Sequence, residues 1–156
     1  MAGTRPTRSD DDEIDAPSLD PAALGAALDG AMIGVRYQPI VRLSDGAPRA
    51  LEVLARLDHP DRGTVLPDRF VPAMEDAGLA ARLTEAVAAR AFADLRDASM
   101  RADDLAVTLN FPLDVLLRAE SLDVLDAQRA AAGIAADRDR KSTRLNSSHL
   151  GISYAV

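Results

Sequence analysis

The sequence has no cysteine and no tryptophan, and aromatic residues make up 3% of its 156 positions. Without cysteine, neither a disulfide framework nor a thiolate metal site can form. With so few aromatics and so much alanine, large side chains are scarce in whatever core the chain builds. No apolar run approaches the roughly 20 residues that a spanning helix needs. The N-terminus lacks the apolar core of a signal peptide. A cytoplasmic protein, or the cytosolic part of a larger one, is therefore the expectation. Basic residues are outnumbered, 18 against 25, for a formal net charge of -7. Such a surface disfavours a nucleic-acid polymer as partner. It leaves room for an anionic ligand in a pocket that supplies its own arginine or metal. The length suits one domain.

What is present is organised around two alternating stretches. In the first, Val35, Tyr37, Val41 and Leu43 share one face, and Arg36, Gln38, Ile40 and Arg42 share the other. In the second, Leu51, Val53, Ala55 and Leu57 point one way, and Glu52, Leu54 and Arg56 the other. Period-2 alternation marks half-buried strands. The Asp45-Gly46 pair between them is a hairpin signal. Antiparallel pairing would bring Gln38, Glu52 and Arg56 near one another. From alternation alone, a solvated outer face is the plain reading.

Around this hairpin the order is simple. Residues 1–18 are polar, aperiodic and rich in charge, and read as a disordered leader. Asp20 followed by Pro21 starts a short helix that Gly30 can stop. Residues 58–66 read as a loop, with His59 as a surface side chain rather than a ligand, since no second histidine stands nearby. Pro67 to Ala77 reads as one or two helical turns broken near Pro72, closed by Gly78. Leu79, Leu83, Val87, Ala91 and Leu95 then recur every four residues, predicting an amphipathic helix to about Asp97. Leu105 to Phe111 alternates as a third strand, with Leu105, Val107, Leu109 and Phe111 on one face and Ala106, Thr108 and Asn110 on the other. A short helix from Pro112 and a longer one over 121–132, stopped at Gly133, follow.

The run Tyr37-Gln38-Pro39-Ile40-Val41, then Asp45-Gly46, then Leu51 to Pro60, Gly63, and Pro67 to Leu79 resembles the start of an EAL domain. The family's signature tripeptide stands here as Glu52-Val53-Leu54, with Val in place of the usual Ala. The family hydrolyses the bacterial second messenger cyclic di-GMP. The resemblance runs from about Ile33 to Arg138. It implies an α/β fold: an incomplete TIM-like barrel, the first half of the domain, with an antiparallel first strand pair. Full α/β barrels need roughly 250 residues, so further strands and acids are expected outside this chain. The expected division is a leader at 1–18, a partial EAL domain at 19–138 and a tail at 139–156. From Lys141 the sequence resembles a translated sequencing-adapter read-through, and the tail is expected to be non-native or disordered.

The resemblance also assigns roles. Glu52 would be the catalytic carboxylate and a metal ligand, and Asn110 a second ligand through its amide oxygen. Arg56 and Gln38 would bind the substrate. Mg²⁺ or Mn²⁺ would be the cofactor, since hard cations take oxygen donors. A guanidinium can grip a phosphate in bidentate fashion. The implied partner is cyclic di-GMP, and a homodimer of the longer parent is compatible with the family. The parent would hydrolyse the cyclic dinucleotide to its linear form, and this piece alone would be inactive. The alternative is an inactive receptor for cyclic di-GMP or a protein-interaction module.

Overall fold

A computed structural model describes residues 19–97, 106–134, 140–142 and 151–155, with side chains over 19–97 and 107–134. Helix α1 (Pro21–Asp29) is capped by Asp20, whose Oδ1 accepts from the Ala23 amide at 2.7 Å. Pro21 fills the first turn, where a missing amide hydrogen is harmless. The helix ends in a backbone motif in which the Met32 and Ala31 amides return to Ala27 and Leu28. Gly30 is not the left-handed residue there; Ala31 is, at φ 52°.

Strand β1 (Ile33–Val41) and strand β2 (Pro48–His59) form the expected antiparallel hairpin. The register pairs Val35 with Ala55, Tyr37 with Val53 and Gln38 with Glu52. Apolar face therefore meets apolar face, and the polar residues line the other side. Gly46, at φ 71°, makes the turn. Pro39 is tolerated because, among the described residues, β1 has only β2 as a strand neighbour, and an edge strand can spare an amide donor.

Two local expectations are corrected here. Residues 58–66 are not a simple loop: β2 runs on to His59 and turns back as β3 (Gly63–Val65). The Thr64 hydroxyl donates to Asp58 Oδ1 at 2.7 Å, and Gly63 takes the positive φ that the tight turn needs. Pro72 does not break the next helix, which is continuous as α2 (Pro67–Asp76). An interior proline costs about 3 kcal/mol. Phe70 and Met74, both fully buried one turn apart on that helix, each recover about 1.5–3 kcal/mol. Packing therefore overrides the local breaker.

Helix α3 (Ala80–Arg96) buries Leu83, Ala88, Ala91 and Phe92. Strand β4 (Ala106–Pro112) then returns parallel to β2, pairing Leu51 with Val107 and Glu52 with Thr108. Helix α4 (Leu113–Leu116) and helix α5 (Ala119–Ala131) follow. Val35, Val53, Val107, Leu109 and Phe111 pack against Ala88, Ala91, Phe92 and Leu125 in one core cluster. Leu24, Ile33, Leu57, Phe70, Met74 and Leu83 form a second. Every strand residue in these clusters is odd-numbered, so the helices cover one face of the sheet and leave the other open. The alanines at α3 allow close approach of helix and sheet where large side chains are few.

The sheet exceeds the expected three strands. Its order is β1-β2-β4-β6-β5, with β3 on β2. Residues 139–156, expected to stand apart, contribute the backbone strands β5 (Arg140–Ser142) and β6 (Gly151–Ala155). Strand β6 lies antiparallel on β4 and β5 lies antiparallel on β6.

Candidate functional site

The open face gathers the polar side chains that the strands cannot bury. Gln38 and Glu52 are direct cross-strand partners, which sets their Cβ atoms roughly 5 Å apart on the same side. The parallel junction of β2 and β4 brings a third group. The Asn110 side-chain amide donates to Glu52 Oε1 at 2.8 Å. Gln38, Glu52 and Asn110 are thus brought together by three strands, at an exposed position on the uncovered face.

Arg56 shares that face but not that place. It lies opposite Gly34, four residues beyond Glu52, or about 13 Å along the strand. Its Nη1 donates to the Ala55 carbonyl at 2.7 Å. Among the described residues the ladder between β2 and β4 stops at Glu52, so this part of β2 has a carbonyl available for the guanidinium. Arginine has five N–H donors, and most remain for a ligand.

Asp58 was read as a loop residue, yet the extension of β2 places it on the same face, two residues past Arg56. The signal was the continuing alternation of Glu52, Leu54, Arg56 and Asp58. Gly34 belongs to the same corner: a Cβ there would fall 2.8 Å from Asp58 Oδ2. Glycine at 34 lets the Asp58 carboxylate lie over β1.

The donor set can be weighed against a divalent cation. Glu52 offers a carboxylate, but the Asn110 group facing it is the NH₂ end. Among the described residues no group of three acidic, histidine or cysteine side chains could hold a metal ion. Hard divalent cations take about six or more oxygen ligands, so these residues by themselves do not fit one.

A family model for the EAL domain matches residues 22–139. The chain belongs to the EAL domain family. Its EAL segment is 36% identical over 114 residues to the cyclic di-GMP phosphodiesterase NbdA of Pseudomonas aeruginosa, covering 72% of this chain and 15% of that protein. It is 32% identical over 90 residues to the probable cyclic di-GMP phosphodiesterase PdeB of Escherichia coli, covering 58% of this chain and 17% of that one. The chain therefore spans less than a fifth of the length of these two relatives. Among solved structures, the FimX EAL domain from Pseudomonas aeruginosa bound to c-di-GMP superposes with a TM-score of 0.63 at 24% identity, over 73% of this chain and 45% of that one. The PaMucR phosphodiesterase in complex with c-di-GMP gives 0.62 at 24%, over 72% and 46%. At that identity the likeness speaks for the fold: this sheet and its helices are part of the TIM-barrel-like EAL architecture. Among the described residues, no helix is long and apolar enough to cross a membrane.

Proposed function

We propose that this chain is the first part of an EAL domain whose longer parent hydrolyses cyclic di-GMP to the linear dinucleotide in the cytoplasm with a divalent metal, Mg²⁺ or Mn²⁺. The observation that carries the reading is the meeting of Gln38, Glu52 and Asn110 on the uncovered sheet face of a chain that matches this family. Glu52 is the catalytic carboxylate and metal ligand of the proposal, and Asn110 its second oxygen donor once the amide turns its oxygen, in place of the NH₂ group, toward the cation. Arg56 takes a phosphate oxygen through the N–H groups that Ala55 leaves free. Gln38, able to donate and accept, faces a base or phosphate. The cation requires further carboxylates beyond the described residues, because one acid and one amide fall short of its coordination number. A homodimer of the parent belongs to the same proposal, as do the limits of the partial domain at 19–138.

The alternative reading is a parent that binds the cyclic dinucleotide without hydrolysis. The two separate in one experiment. The purified chain is incubated with cyclic di-GMP and Mn²⁺ beside a Glu52→Ala control, and no turnover is expected from either. Turnover abolished in the control would overturn the need for further donors. A parent carrying the rest of the domain is expected to form the linear dinucleotide; tight binding without product would replace the enzyme with the receptor.

A further inference from the structure

Tyr37 stands on the helix-covered side of β1, next in sequence to Gln38. Its ring packs against the core cluster of Val35, Val53 and Phe92. Its hydroxyl donates to Asp94 Oδ2 on α3 at 2.9 Å, across 57 residues of chain. The other Asp94 oxygen lies 3.3 Å from Arg90 Nε, one turn earlier on the same helix. Partial burial and the hydrogen bond to Asp94 hold the Tyr37 hydroxyl well above the usual tyrosine range, so it remains a donor. A phenylalanine could pack the same ring; the hydroxyl adds a fixed direction and distance to α3.

The place of this tie matters more than its strength. Beyond Tyr37 the grip on β1 weakens. The register shifts between Ile40 and Val41, and Val41 is exposed. The strand has β2 on one side and no strand partner on the other among the described residues. Among those residues, the Tyr37–Asp94 bond is the side-chain hydrogen bond that joins β1 to the helical layer. It does so at the residue paired with Val53, one step from the Gln38–Glu52 pair.

We propose that Tyr37 is a positioning residue: through Asp94 it fixes β1 against α3 and so holds Gln38 over Glu52 on the opposite face of the sheet. The inference rests on the reading that Gln38 and Glu52 belong to the dinucleotide site. Asp94 acts as the acceptor, and Arg90 steadies it.

The test uses the full chain, isotopically labelled, and no nucleotide. Nuclear Overhauser contacts are measured between the Gln38 side-chain amide and the Glu52 side chain, alongside the backbone ladder contacts at Val35/Ala55 and Tyr37/Val53. In Tyr37→Phe and in Asp94→Ala the Gln38–Glu52 contact is expected to be lost together with the Tyr37/Val53 ladder contact beside it, while the Val35/Ala55 contact persists. In Asp94→Asn, which keeps an oxygen acceptor, the Gln38–Glu52 contact is expected to survive. An intact Gln38–Glu52 contact in Tyr37→Phe would overturn the proposal. So would loss of the Val35/Ala55 contact as well in all three variants, since that pattern describes a strand that has merely come loose. Failure of the hydrolysis assay leaves this measurement untouched, so the two outcomes can be told apart.

Discussion

Asn110 and Glu52, 58 residues apart in sequence, are joined by a 2.8 Å hydrogen bond across the parallel junction of β4 and β2. The bond is exposed, so its net contribution is small, about 0.5–1.5 kcal/mol. Glu52→Gln, which keeps an acceptor oxygen, is expected to melt with the unaltered chain, and Glu52→Ala to lose about 1 kcal/mol at most. A loss of several kcal/mol in denaturant unfolding would mark the pair as core structure instead of a site. With one carboxylate and one amide, the chain should leave added Mn²⁺ with the electron-spin-resonance spectrum of the free aqueous ion.

Ala31 occupies the left-handed position after α1, where α2 and α5 have Gly78 and Gly133 at φ 71° and 72°. All three helices end in the same pair of returning amides. Only the residue at the strained position differs. A side-chain Cβ in this conformation costs roughly 1 kcal/mol, part of which glycine returns as unfolded-state entropy. Ala31→Gly is expected to stabilise the chain by about 0.5 kcal/mol, read as a higher denaturant midpoint at unchanged slope. A lower midpoint would show that α1 ends differently in solution.

Gly34 and Asp58 are coupled through space. A methyl group at 34 would sit 2.8 Å from Asp58 Oδ2 and push the carboxylate away from the Thr64 hydroxyl. Gly34→Ala is expected to destabilise by about 1 kcal/mol. The cost should largely disappear in an Asp58→Ala background, as a double-mutant cycle would reveal. Additive effects would place the clash elsewhere.

Alkaline stability should depend on Tyr37. Its hydroxyl is raised by partial burial first, then by the hydrogen bond to Asp94 and that residue's charge. The unfolded tyrosine titrates near 10. A group raised in the folded state contributes stability that is complete below the unfolded value and lost as pH rises through the interval above it. Stability of the unaltered chain should therefore decline beyond about pH 10, and Tyr37→Phe should decline less steeply. Equal slopes for the two proteins, measured by denaturant unfolding from pH 8 to 11, would count against the Tyr37–Asp94 bond.

We propose that residues from 139 onward are foreign to the domain. The family match ends at 139, and the chain's only lysine, Lys141, stands just beyond it. Strand β6 also runs antiparallel to β4, whereas an α/β barrel grows by parallel strands. A chain ending at Arg138 is expected to match the full chain within about 0.5 kcal/mol. A clear loss of stability, or new self-association through the bared edge of β4, would show that the tail has become part of this sheet.

Much of this molecule was legible in one dimension. Alternation over 35–57, the Asp45-Gly46 turn and the four-residue spacing from Leu79 determined the hairpin and α3, because each element's own periodicity decides which side it must bury. Antiparallel pairing already placed Gln38 near Glu52; the register that makes them direct partners, shifted between Ile40 and Val41, came from the structure. Other features escaped a local reading because they depend on distant partners. The helix through Pro72 exists because Phe70 and Met74 are wholly buried. The strand character of residues 58–65 needs β3 folded back on β2. Tertiary structure alone decided that Asn110 would reach Glu52 and that Tyr37 would find Asp94. The physical reason is the same in each case: periodicity is a property of neighbours along the chain, but a contact across 57 or 58 residues is set by how the helices and strands pack.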